Sequence, residues 1–202
     1  MDIISKITEE LQVKKWQVEA AVGLIDEGNT IPFISRYRKE ATGSLNDEQL
    51  RNLHERLLYL RNLEEKKEQV LGSIEEQGKL TDELKKQILA AETLVVVEDL
   101  YRPYRPKRKT RASIAKEKGL EGLAEYILAQ TAETPVLEEA KKYVTGEDAE
   151  EGKQVKNAEE ALQGAKDIIA ESISDSAEYR AYIRSATMDE GVITSGAKDE
   201  KA

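Results

Sequence analysis

Residues 46–77 carry the longest periodic pattern in the chain, and that pattern demands a helix. Leu50, Leu53, Leu57, Leu60, Val70, Leu71 and Ile74 fall on one helical face. Glu64, Glu65, Lys66, Lys67 and Glu68 cover its middle. At 1.5 Å per residue, a helix of roughly 30 residues is about 45 Å long. Ser44 or Asn46 supplies a cap before it, and Gly78 is a stop after it. A helix of that length either joins subregions or packs as a hairpin.

Shorter helices flank it. Ile3, Ile4, Ile7 and Leu11 share a face, and Trp16 to Ile25 forms a second segment with Val18, Ala21, Val22 and Ile25 inside. Gly28-Asn29 ends that segment, since both residues tolerate positive φ. The pair is helix-turn-helix-like. Ile31, Phe33 and Ile34 anchor a short element, and Thr81 caps a helix carrying Leu84, Ile88 and Leu89. Leu94-Val-Val-Val is β-like but too short to decide between a strand and a buried helical turn. Later segments run from Ile114 to Gly119, Leu120 to Gln130, Asn157 to Ser172 and Asp175 to Glu190. A further one starts at Thr134-Pro135, with the proline at the first helical position. The expected fold is all-α, a multi-helix region with a helix-turn-helix-like start and one long central helix. The expected divisions are residues 1–45, 46–190 and a flexible tail, 191–202.

Charge is distributed unevenly. Residues 1–101 hold 14 Lys+Arg against 20 Asp+Glu, and residues 112–202 hold 11 against 20. Between them, Arg102, Arg105, Lys107, Arg108, Lys109 and Arg111 form a strip with no acid. Pro103 and Pro106 remove two backbone donors and push the preceding residues towards extended conformations, so the strip reads as an extended arm or ordered loop. Guanidinium forks suit phosphates or carboxylates. Six phosphate contacts to a single strand would give a salt slope of roughly −4, and Tyr101 and Tyr104 are candidates to stack on bases. The same residues also suit docking on an acidic surface of this polypeptide or a partner, with the arginines paired to Asp and Glu. Both readings stay open. Arg36, Arg38 and Lys39 form a smaller basic cluster, blunted by Glu40, that either extends a nucleic-acid surface or braces a helix junction.

Other chemistry is scarce. The chain has no cysteine, which excludes disulfides and thiolate metal sites. His54 is the only histidine and flanks the leucine stripe as a packed or solvated side chain. There is no glycine-rich phosphate loop, zinc motif or nucleophile elbow. No catalytic residue, metal or cofactor is expected. No run approaches the roughly 20 apolar residues of a membrane span, and no signal peptide is visible, which fits a cytoplasmic protein.

Several long motifs carry a resemblance. They are Asp26-Glu-Gly-Asn-Thr-Ile-Pro-Phe-Ile-Ser-Arg-Tyr-Arg-Lys-Glu-Ala-Thr-Gly, Ser73-Ile-Glu-Glu-Gln-Gly-Lys-Leu-Thr, Glu98-Asp-Leu-Tyr-Arg-Pro-Tyr-Arg-Pro-Lys-Arg-Lys-Thr-Arg-Ala and Asp167-Ile-Ile-Ala-Glu-Ser-Ile-Ser-Asp. In this order they resemble the N-terminal region of the bacterial Tex family of transcription accessory proteins, from about Ile3 to Ser195. The resemblance implies a helical N-terminal region of a cytoplasmic nucleic-acid-binding protein linked to transcription and RNA handling. In that family a YqgF-type RNase-H-like domain, helix-hairpin-helix elements and a C-terminal OB-type RNA-binding domain normally follow. This chain stops near where the YqgF-like domain is expected, so it reads as an N-terminal fragment. The expected role is a non-catalytic scaffold that binds nucleic acid, RNA before DNA. The alternative is a protein–protein docking domain that contacts its own further domains, RNA polymerase or a ribosome-associated partner.

Overall fold

The computed structural model describes residues 2–106, 108–130, 134–145 and 152–196. Eleven α-helices and one 3-10 turn, with no strand, make up the regular structure of these residues. They divide into two compact units, residues 1–97 and 98–202.

The first unit is organised by the long helix. Its elements are α1 (Ile3–Leu11), α2 (Lys15–Asp26), α3 (Ile31–Tyr37), α4 (Asp47–Glu76) and α5 (Asp82–Ala90). Asn46 caps α4, accepting from the Gln49 N–H at 2.8 Å, while the Gln49 side chain accepts from the Asn46 N–H at 3.0 Å. This reciprocal pair satisfies two donors that a helix start would otherwise leave open. Leu50, Leu53, Leu57, Leu60, Leu63, Lys67, Val70 and Ile74 form the buried stripe. α1, α2, α3 and α5 all pack on α4. Each leucine buried this way contributes about 1.5–3 kcal/mol. Two bidentate arginine pairs add registration. Arg56 grips Glu10 of α1 at 2.6 and 2.7 Å, and Arg61 grips Asp26 of α2 at 2.7 and 2.8 Å.

Lys67, from the charged middle of α4, belongs to the buried stripe. Its side chain is only 2 % exposed. The stem occupies a stripe position, and the ammonium donates to Glu64 at 2.9 Å and to the Leu89 carbonyl near the end of α5 at 3.0 Å. A lysine stem is apolar, and here its head finds acceptors without leaving the interior.

The β-like run resolves as helix: α6 (Leu94–Tyr101) begins there. Thr93 is the reason, because its hydroxyl accepts from the Val96 N–H at 3.4 Å and its carbonyl from the Val97 N–H at 3.3 Å. Val97 is fully buried, so one valine anchors the turn while Val95 and Val96 remain outside.

The second unit contains α7 (Arg111–Glu117), α8 (Glu121–Ala129), α9 (Val136–Lys141), α10 (Ala158–Asp175) and α11 (Ala177–Glu190). α9 begins one residue later than expected, with Pro135 at the cap and not at the first helical position. α10 is its spine, and α7, α8 and α9 pack on it. The core is rich in alanine: Ala112, Ala115, Ala124, Ala140, Ala158, Ala161 and Ala165 join Leu120, Leu123, Val155 and Ile168. Small side chains let the helices approach closely. Gly164 on α10 shows the limit, since a methyl group there would collide with the buried Leu120 and crowd Ala115. α11 is different, for none of its residues is buried.

Candidate nucleic-acid interface

The strip begins as helix. α6 runs into the 3-10 turn Arg102–Tyr104, so its first part is not the extended arm that the prolines suggest. Pro103 sits near the start of this turn, where its missing N–H breaks no bond. Arg105 is extended, at φ −65 and ψ 131. Thr110 then caps α7, accepting from the Ser113 N–H at 3.0 Å, and Arg111 is the first residue of that helix.

Long-range acids fix this segment within the second unit. Arg102 donates to Asp175, at the end of α10, at 3.0 Å. The Thr110 hydroxyl donates to Glu171 at 3.0 Å. Asp99, one turn before the strip, is nearly buried and receives Arg180 at 2.6 Å and also Arg184, both from α11. Burial alone pushes the Asp99 carboxyl up. The two arginine hydrogen bonds outweigh it and hold the group below its ordinary value.

The cations therefore divide by role. Arg102 is tied to Asp175, and Lys109 lies 3.4 Å from Glu117. Arg105, Arg108 and Arg111 are exposed, and among the described residues none of them pairs with a carboxylate. Lys107 lies outside the described residues. Tyr101 and Tyr104 are half-buried, and each already engages neighbours. Arg102, Arg105, Arg108 and Arg180 line an open cavity of about 550 Å³ whose walls also carry Glu98, Asp99, Glu171 and Asp175. Exposed Arg102, Arg105 and Arg108 and buried Asp99 and Asp175 thus share one cavity. Among the described residues no group of His, Asp and Glu side chains is placed to hold a metal. No helix of the described residues is long and apolar enough to cross a membrane.

Comparison with known proteins bears on what this arrangement belongs to. The family model described as the Tex-like protein N-terminal domain matches residues 1–75, and the Tex central region-like model matches residues 130–202. The Transcriptional accessory protein Tex of Neisseria gonorrhoeae is 46 % identical over 193 residues, covering 96 % of this chain and 24 % of that protein. The chain belongs to the Tex family. The uncharacterized protein YdcI of Bacillus subtilis is 46 % identical over 192 residues, 95 % of this chain and 26 % of its own length. The human S1 RNA-binding domain-containing protein 1 is 32 % identical over 146 residues, 72 % of this chain and 15 % of its own. This Tex-family chain thus spans about a quarter of the length of the bacterial relatives it matches.

The second basic cluster lies in the first unit, at the end of α3 and just beyond it. Arg36, Arg38 and Lys39 are all exposed. The Arg38 guanidinium sits over the Phe33 ring, 5.5 Å from its centroid. The start of α2, where a groove-reading helix would offer Lys14, Lys15 and Gln17, is otherwise engaged. The Gln17 amide donates to the carbonyls of Thr42 and Gly43 at 3.3 and 2.9 Å, and Lys15 lies 3.9 Å from Asp2.

The acids of the second-unit site, and the two α11 arginines on Asp99, escaped sequence reasoning. Asp99, Glu171, Asp175, Arg180 and Arg184 stand 61 to 85 residues from their partners. Two signals were present. Asp99 interrupts an apolar run, and Arg180 and Arg184 are spaced i, i+4 on one helix face.

Proposed function

We propose that this chain is a non-catalytic helical scaffold of a Tex-family protein whose second unit contacts nucleic acid through phosphate. Arg105, Arg108 and Arg111 make the contact. The supporting observation is that these three cations are exposed and unpaired while Arg102, Thr110 and the Asp99 cluster hold their segment in place. Recognition is electrostatic and independent of sequence, because guanidinium groups meet phosphates that every nucleotide carries. RNA is preferred to DNA as the ligand, since a human relative is named for an S1 RNA-binding domain. Fluorescence anisotropy with labelled single-stranded RNA and duplex DNA tests the reading. The 202-residue chain binds single-stranded RNA, and the folded Arg105→Ala/Arg108→Ala/Arg111→Ala variant binds it more weakly. Equal binding by both proteins, or none by the parent at low salt, overturns it.

α11 favours a second reading, a protein–protein contact. Tyr179, Tyr182, Ile183 and Met188 are 51, 72, 61 and 81 % exposed on a helix that buries no residue. Under this reading α11 docks on further parts of a longer Tex-family polypeptide, on RNA polymerase or on a ribosome-associated partner. Pull-down by the parent chain and loss of capture by Tyr182→Ala/Ile183→Ala would identify it.

A further inference from the structure

The chain has a single phenylalanine, and the fold leaves it at the surface. Phe33 is 37 % exposed and Tyr37, one helical turn later, is 68 % exposed. Ile34 turns inward between them and is fully buried, so it is the main apolar anchor of α3. The two rings lie 5.3 Å apart at a tilt of 45°. Arg38 covers one side of Phe33. Arg36, Arg38 and Lys39 stand in the same turn and the residues just after it, and among the described residues none of the three pairs with a carboxylate. Glu40, the nearest acid in sequence, is exposed.

Aromatic faces without a core to fill, set among unpaired cations, match the physical requirements of one ligand class. Single-stranded nucleic acid offers a flat π-face and a phosphate at every residue. Exposed aromatic rings take the first, and guanidinium or ammonium groups take the second. An acidic peptide would satisfy the cations but leave the open face of Tyr37 without a planar partner. We infer that Phe33 and Tyr37, with Arg36, Arg38 and Lys39, form a base-stacking platform for single-stranded nucleic acid in the first unit. Tyr37 stacks the base, Phe33 and Arg38 back the ring, and Arg36 and Lys39 meet the flanking phosphates. This inference rests on the nucleic-acid reading above but names other residues and another interaction.

Stacking and charge have separable signatures. Loss of a phosphate contact lowers the dependence of affinity on salt, whereas loss of a stacking ring lowers affinity and leaves that dependence unchanged. The test uses the 202-residue chain with two labelled 12-nucleotide probes, oligoadenylate and an abasic oligomer with the same phosphates. The parent chain binds the oligoadenylate more tightly than the abasic probe. Tyr37→Ala weakens oligoadenylate binding about tenfold or more, with the salt slope retained, and erases the difference between probes. Tyr37→Phe keeps the preference and Tyr37→Leu loses it. Circular dichroism confirms that each variant is folded.

Equal affinity of the parent for the two probes, or unchanged binding by Tyr37→Ala, overturns the platform. So does a Tyr37→Leu variant that binds like the parent, which would mark an apolar protein-docking surface instead. If the platform fails while the Arg105→Ala/Arg108→Ala/Arg111→Ala variant still loses binding, the reading of the strip survives. If the parent binds neither probe at low salt, both fall together.

Discussion

Arg180 donates to Asp99 at 2.6 Å across 81 residues of sequence. With Arg184 on the same carboxylate, this contact does for α11 what apolar burial does for the other helices. Asp99 is nearly buried while the two arginines keep 36 and 40 % of their side chains exposed, so the charge-assisted hydrogen bonds have to offset the desolvation of one carboxylate only.

α11 should therefore detach locally when its anchors are removed. In Arg180→Ala/Arg184→Ala, amide exchange across residues 177–190 should speed up about tenfold or more, equivalent to roughly 1.4 kcal/mol. Protection at Ala161, Ala165 and Ile168 in the core of α10 should hold. Hydrogen exchange read by mass spectrometry checks both halves. A uniform loss of protection through the second unit would show that α11 is part of its core.

Acid should act on the same contact. Asp99 is held below its ordinary carboxyl value by the two arginines, against the push of burial. Glu10 and Asp26 are lowered first by hydrogen bonds from Arg56 and Arg61, and Glu160 by one from Lys118. A carboxyl depressed by folding contributes stability above its unfolded value, and that contribution is lost as pH falls through the folded value. Stability against urea should be flat from about pH 5 to 7 and decline from about pH 4 downward. Asp99→Asn should make the decline shallower.

Lys67 separates packing from charge. Lys67→Met keeps the stem volume and removes the ammonium, and should cost under about 1.5 kcal/mol. Lys67→Ala opens a cavity in the α4 stripe and should cost about 2–5 kcal/mol. Urea unfolding followed by circular dichroism measures the difference. Near-equal losses would mean that the hydrogen bond to the Leu89 carbonyl, not the stem, is what α4 needs.

Gly43 holds the turn before α4 at φ +61, with Trp16 and the Gln17 amide packed where a Cβ would stand. Gly43→Ala meets both penalties, and should lower stability by about 1–3 kcal/mol. A thermal melt that does not shift would show that the turn relaxes freely.

The helices were legible where their signals are local. Asn46 and Gly78 bracket α4 in the sequence, and a period near 3.5 residues marks its face. The burial of Lys67 was not legible, because the carbonyl that accepts its head comes from α5. Leu94-Val-Val-Val was ambiguous for a similar reason. β-branched residues fit either state, and the Thr93 cap decides. At the strip, sequence identified the cations but could not sort them. Arg102 and Arg105 look alike in the chain, yet only Arg102 has Asp175 within reach. The exposure of Phe33 and Tyr37 was equally hidden, because aromatic residues are normally counted towards a core.

The most direct test of the central claim is the salt dependence of RNA binding. Log affinity for single-stranded RNA should be measured against log salt for the parent and for Arg105→Ala/Arg108→Ala/Arg111→Ala. Three phosphate contacts at about 0.7 each predict that the slope becomes shallower by roughly 2 in the variant. An unchanged slope would show that these arginines do not meet phosphate, and would assign the strip to protein docking.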